Sequence, residues 1–189
     1  LAFDEEKLMQ EMGFFMTHFV NGLCRNQPSP AAAATLEAFF LRICRILAAE
    51  PRILTHRDYH SRNLIVQHDR LRIIDFQDAR MGPAQYDLAS LLRDSYVTVA
   101  EDLVDDLLDH YLRSDETGAD RSRERFRSIF DLMSLQRNIK ALGTFGYQAS
   151  VRGSTRYLSS IPRTGWYVAA NIAKYAEFHA YRSVVEDLI

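Results

Sequence analysis

Between His56 and Phe76 the chain sets four polar side chains at spacings that leave little freedom for the local fold. His56-Arg57-Asp58-Tyr59-His60-Ser61-Arg62-Asn63 is a polar loop, and Leu64-Ile65-Val66 leaves it as a short apolar strand. A polar turn at His68-Asp69-Arg70 returns the chain along Leu71-Arg72-Ile73-Ile74, which ends in Asp75-Phe76. The expected hairpin, Leu64–Gln67 with Leu71–Asp75, carries the chain from Asn63 to Asp75 so that both reach one region. A carboxylate such as Asp58 can take the proton of a hydroxyl and aim its oxygen. Asn63 and Asp75 offer the hard oxygens that a magnesium ion prefers. Short Asx side chains also cap turns and strand ends, but the order and spacing of these three match a single mechanism.

With 189 residues, 47% of them hydrophobic, the chain is one domain-sized unit, or one large and one small, able to bury a sizeable core. A net charge of -2 argues against a general binder of nucleic acid or membrane surfaces. The lysines are Lys7, Lys140 and Lys174; the last two fall on late helices and are expected to be solvated. Cys24 and Cys44 are expected as small buried apolar groups in helices, with no C-x-x-C pair and no sign of an oxidising compartment. No apolar run approaches the roughly 20 residues of a membrane span and no signal-peptide pattern is visible, so a cytoplasmic location is expected. The chain opens on Leu1-Ala2 directly before a helix, as expected of a piece cut at a domain boundary.

Helical spacing of Leu8, Met12, Phe15, Phe19 and Leu23 predicts a first helix, with Asp4 as its N-cap. His18 on this helix is expected to be half-exposed and merely hydrogen-bonded. Asn26 to Pro30 breaks the chain, and a second helix runs over about 31–49 on the stripe Leu36, Phe39, Phe40, Ile43, Ile46, Leu47. Ile53-Leu54-Thr55 is a short apolar lead into the loop, and Gln77 to Pro83 is expected as a loop. Further helices are predicted to start at Tyr86 and to cover about 99–112, 121–142 and 164–187, with a polar turn over 114–120. Gly143-x-x-Gly146 is expected to close the 121–142 helix, and Trp166, Ala169, Ile172, Ala173, Ala176 and Val184 mark the expected apolar stripe of the last one. A lone hairpin is marginal, so the predicted one is expected to rest on the helices.

The order H-x-D-x-x-x-x-N, strand, turn, strand, Asp-Phe is that of protein kinases. With Asp75-Phe76-Gln77-Asp78-Ala79 and Gly82-Pro83-x-x-Tyr86-Asp87-Leu88-Ala89, the chain resembles the aminoglycoside phosphotransferase and choline kinase family, which is built like protein kinases but phosphorylates small molecules. Gln77 stands where protein kinases carry Gly after Asp-Phe, and no Ala-Pro-Glu follows. Within the family it resembles the bacterial kinases that phosphorylate the anomeric hydroxyl of N-acetylmuramate and N-acetylglucosamine. That likeness also rests on Gln136-Arg137-Asn138-Ile139-Lys140-Ala141-Leu142-Gly143 and Ile161-Pro162-Arg163. The resemblance implies a mainly α fold, the C-terminal lobe of a protein-kinase-like architecture over 1–189, helical with one hairpin after the catalytic loop. It implies Asp58 as the base, Asn63 and Asp75 as magnesium ligands, and Asp87, with His56, as braces of the loop. His60 falls where protein kinases carry a phosphate-contacting Lys, and is either a stabiliser of the moving phosphoryl group or structural. Arg62 is either the same or a solvated loop Arg; Arg57 is expected to fix the loop; Asp78 is a candidate for binding sugar hydroxyls.

No Gly-rich loop, no Val-Ala-x-Lys strand and no partner Glu precede these motifs. The nucleotide-binding N-lobe is therefore expected to lie outside this chain, and the piece alone is expected to transfer phosphate poorly or not at all. The implied reaction is transfer of the ATP γ-phosphoryl, with Mg2+, to a small-molecule hydroxyl, with no nucleic-acid or membrane partner. An aminoglycoside, choline or homoserine stays open as acceptor, as does a catalytically inactive kinase-like binding module. The Arg- and His-rich loop favours a neutral or anionic acceptor over a polycation, whereas aromatic rings facing the site would favour choline.

Overall fold

Asp4 accepts the Lys7 amide at 2.8 Å and caps the first helix, α1 (Glu5–Phe15), satisfying one of the amides every helix leaves unpaired at its start. The computed structural model describes residues 1–114 and 122–188. The first helix reaches Leu23 as its apolar spacing predicts, but over Met16–Leu23 it widens to a π-helix. Among the described residues the His18 side chain makes no hydrogen bond; its ring packs against Phe14 and Tyr147. Ser29 caps α2 (Pro30–Ala48), whose first residue is a proline, where the missing N–H is harmless. Cys44 faces the core, where burial above all, then Glu11 and Glu5, pushes its thiol up to about 12. Cys24, expected to be buried, lies just past the π-helix and is exposed.

Four short strands follow: β1 (Arg52–Thr55), β2 (Leu64–Gln67), β3 (Arg70–Ile73) and β4 (Arg80–Pro83). β2 and β3 form the predicted hairpin, paired Leu64↔Ile73 to Gln67↔Arg70. Its turn is two residues rather than three: His68 (φ 50°) and Asp69 (φ 56°) both take the left-handed backbone that matches strand twist. The hairpin does not rest on the helices, since Ile65, Val66, Leu71 and Ile73 are all exposed. The residues expected as a lead-in and a loop form a second antiparallel pair, β1 with β4. Met81 in β4 also exchanges backbone bonds with Leu1 and Phe3. The second pair went unpredicted because its strands are short and 24 residues apart (Thr55 to Arg80 encloses residues 56–79), with no turn to announce it.

β4 leads into α3 (Gln85–Leu92), followed by α4 (Glu101–Ser114), α5 (Arg123–Ser150), α6 (Ile161–Lys174) and α7 (His179–Glu186). Beyond Ser114 the predicted polar turn lies outside the described residues, as does Arg121. The long α5, roughly 42 Å at 1.5 Å per residue, is the axis around which α1, the π-helix, α3 and α6 pack. It runs straight through Gly143 and Gly146, which were expected to end it. A Cβ on Gly143 would stand 2.8 Å from the Phe15 Cα, and one on Gly146 2.5 Å from the His18 carbonyl oxygen. These glycines serve a close crossing of backbones rather than a cap. The expected 164–187 helix is broken at Tyr175, whose extended backbone (φ -115°, ψ 117°) separates α6 from α7. Trp166, Ala173 and Ala176, placed on its buried stripe, are exposed; Ile172 buries as expected, with Tyr167 and Val168 beside it. Among the described residues no helix is long and apolar enough to cross a membrane.

Candidate active site

The two β pairs and α3 hold the loop from His56 to Asn63 at both ends. β1 delivers the chain to His56, and Thr55 bonds its hydroxyl to the Arg80 carbonyl of β4 at 2.9 Å. Asp87, in the first turn of α3, accepts the amides of His56 (2.6 Å) and Arg57 (3.0 Å). Asp94, just past the other end of α3, accepts the amides of Ser61 (2.8 Å) and Tyr96 (2.7 Å). Two carboxylates, one in the first turn of a short helix and one just past its end, thus satisfy loop amides that no ladder could reach. Arg57 takes φ 81°, a backbone that non-glycine residues avoid, and its carbonyl accepts from Arg137 Nη1 at 2.9 Å. Strain of this kind persists only where neighbours over-determine the conformation.

Asp58 stands in the loop's centre with its side chain about one-third exposed. It opens on a cleft between the loop, α3 and α5. His60, Arg93, Tyr96, Arg137, Asn138 and Lys140 line the same space. Asn63 is buried; its amide nitrogen donates to the Asp58 carbonyl at 2.9 Å and lies 3.3 Å from Asp75 Oδ2. Asp75 itself takes φ 68° and accepts from Gln77 Nε2 at 2.6 Å. The Asn63 nitrogen faces the Asp58 carbonyl and Asp75, and among the described residues its amide oxygen makes no hydrogen bond. That donor set fits a magnesium ion brought in on phosphate oxygens. Among the described residues no group of three or more His, Cys, Asp or Glu could hold a metal by itself.

The remaining predicted residues divide. The His56 Nε2 atom lies 2.9 Å from the Ile74 carbonyl, tying the loop to the strand end before Asp75. His60 lines the cleft with its ring edge-on to Tyr96; burial lowers its pKa, against the pull of Asp94 and Asp58. Arg62 is exposed, with its guanidinium 3.6 Å over the Tyr96 ring. Asp78 is brought to Arg57, 3.4 Å from its Nη1, and does not line the cleft.

Three residues of this site escaped the sequence reading of roles. Asp94 and Arg137 have the partners given above, and Arg137 also lies 4.4 Å over the Tyr86 ring. Lys140, expected to be solvated, is 18% exposed, with Nζ 3.9 Å from Asp58 Oδ1. Burial lowers its pKa and Glu11 and Asp58 work against that, while Arg137 and Arg57 add to it. The available signal was two cations three residues apart in a stretch of α5, residues 132–150, that carries no other charge. Lys174, the other late lysine, pairs with the buried Asp131.

Residues 14–126 match the model of the phosphotransferase enzyme family. The chain belongs to this family. The match takes in the whole His56–Asp87 region that builds the loop and its brace. Among its relatives is a Pseudomonas aeruginosa protein named N-acetylmuramate/N-acetylglucosamine kinase, 33% identical over 183 residues, which covers 93% of this chain and 53% of that protein. A Neisseria meningitidis protein of the same name is 29% identical over 190 residues, 99% of this chain and 57% of the relative. One from Caulobacter vibrioides is 32% identical over 143 residues, 73% and 39%. The chain spans about half the length of the relatives it matches.

Proposed function

We propose that this chain is the catalytic and acceptor-binding lobe of a small-molecule kinase that moves the ATP γ-phosphoryl to the anomeric hydroxyl of an N-acetylated amino sugar, in the cytoplasm. The observation that carries this reading is the Asp58 carboxylate, held by a doubly braced loop at the mouth of a polar cleft. The relatives' shared name supports the acceptor class. Asp58 aligns the hydroxyl and takes its proton as the oxygen attacks phosphorus in line; positioning supplies most of the acceleration. Asn63 and Asp75 would hold a magnesium ion that neutralises phosphate charge. The nucleotide-binding lobe is not part of this chain, so the 189 residues alone turn over poorly or not at all.

The test is ATP consumption by the protein at its natural length, against N-acetylmuramate, N-acetylglucosamine, an aminoglycoside, choline and homoserine. The expected result is turnover of the N-acetyl sugars, giving an acid-labile, alkali-stable phosphate. Asp58→Asn should lower kcat by about 10²–10⁴, the range of a lost general base, with an unchanged circular dichroism spectrum. Turnover of another acceptor alone would discard the sugar assignment, and wild-type rates in Asp58→Asn would discard Asp58 as the base.

A further inference from the structure

Among the described residues lining the Asp58 cleft, Lys140 is the one Lys or Arg whose side chain makes no hydrogen bond. Arg62 stacks on Tyr96, Arg137 is bonded to the Arg57 carbonyl, and Arg93 pairs with Glu101 at 2.8 Å. Gln136, one turn before Lys140 on α5, is likewise fixed, donating to Glu11 at 3.0 Å. Lys140 makes no hydrogen bond among the described residues, and its ion pair with Asp58 is loose at 3.9 Å. It lines the Asp58 cleft and also a second one bounded by Glu11, Phe14 and Arg57. An ammonium that faces two clefts with no hydrogen bond among the described residues has all its donors available to a ligand bound there.

The gap between the two charged groups defines that ligand. A separation of 3.9 Å is shorter than two hydrogen bonds end to end, so one oxygen can sit about 2.7–2.9 Å from both. The carboxylate only accepts and the ammonium only donates. The bridging oxygen must therefore do both, which a hydroxyl does and a phosphate oxygen does not. We propose that Lys140 is a second catalytic residue, which donates to the acceptor hydroxyl while Asp58 accepts that hydroxyl's proton. This rests on the phosphotransfer reading above. The hydroxyl's proton points to Asp58, one lone pair to Lys140, and the other is left to attack phosphorus. As the new O–P bond forms, the bond from phosphorus to the leaving nucleoside diphosphate breaks and the proton passes to Asp58. Lys140 keeps its own proton and stabilises the negative charge that grows on the acceptor oxygen, as donors aimed at a developing oxyanion do.

The experiment compares wild type, Lys140→Met and Lys140→Arg in the protein at its natural length, with folding checked by thermal unfolding. ATP hydrolysis without acceptor, in which water takes the hydroxyl's place, is measured beside turnover of whichever panel acceptor is active. Lys140→Met is expected to lower kcat by about a hundredfold in both reactions, the scale of one lost oxyanion donor, with the KM for ATP unchanged. Lys140→Arg should recover part of that loss. Should Lys140→Met fold and stay within threefold of wild type while Asp58→Asn is inactive, Lys140 has no such role and the kinase reading survives. A wild type that neither binds nor consumes ATP overturns both.

Discussion

Gly146 sets two physical effects against each other, and the packing of α5 decides between them. Replacing a helical glycine with alanine ordinarily stabilises by about 1 kcal/mol, because the unfolded chain loses freedom. Here the added Cβ would lie 2.5 Å from the His18 carbonyl oxygen, 2.6 Å from its carbon and 2.6 Å from the Phe19 Cα. All three are backbone atoms of the π-helix, so no side chain can swing aside, and a whole segment must move. Overpacking costs about 1–3 kcal/mol, and rigid neighbours put this site at the upper end. The net expectation for Gly146→Ala is a loss of about 2 kcal/mol, or roughly 4–8 °C in Tm for a chain of this size. Gly13→Ala is the control: it also lies within a helix, but its Cβ would meet nothing within 4 Å. It should gain about 0.5–1 kcal/mol. Urea and thermal unfolding of both variants check this; a Gly146→Ala protein as stable as Gly13→Ala would refute the close-crossing argument.

The other expectations concern the core and the loop brace. Cys44 keeps its proton in the folded chain up to about pH 12, against an ordinary value of 9.0. Above pH 9 the unfolded state therefore binds fewer protons than the folded one, and stability falls as pH rises. At pH 10 the loss attributable to this thiol is about 1.4 kcal/mol; urea unfolding at pH 8 and 10 should show it in wild type and not in Cys44→Ala, and equal pH slopes would count against it. Asp87→Asn replaces one of two oxygens that accept loop amides with an NH2 group that cannot. It should cost about 1–3 kcal/mol in unfolding free energy and lower turnover, and a variant with wild-type stability and rate would mean the loop does not depend on this brace.

Much of the molecule was legible because its signals are local. Asp4 and Ser29 cap the helices they precede, and the apolar spacings of α1 and α2 bury the residues they mark, Ile46 only in part. The His56–Asn63 loop, the β2–β3 hairpin and the position of Asp87 all follow from order and spacing along some thirty residues. What failed to show were features set by what packs against what. Gly143 and Gly146 look like a helix end to any local rule, because a C-cap and a close crossing use the same residue for its missing Cβ. Lys140 looks solvated for the same reason: nothing in its neighbours along α5 says that α1, the loop and α3 surround it.

The sequence by itself determined which residues stand together along the chain, and so the candidate base, the candidate metal ligands and the family. It did so because loop, hairpin and first helical turn are contiguous, and their geometry follows from a few backbone torsions. Only the tertiary structure decided that α5, from more than seventy residues away, brings Arg137 to the Arg57 carbonyl and Lys140 to within 3.9 Å of Asp58. Burial and the distance between charges depend on how helices cross, and that crossing is settled by the whole core at once.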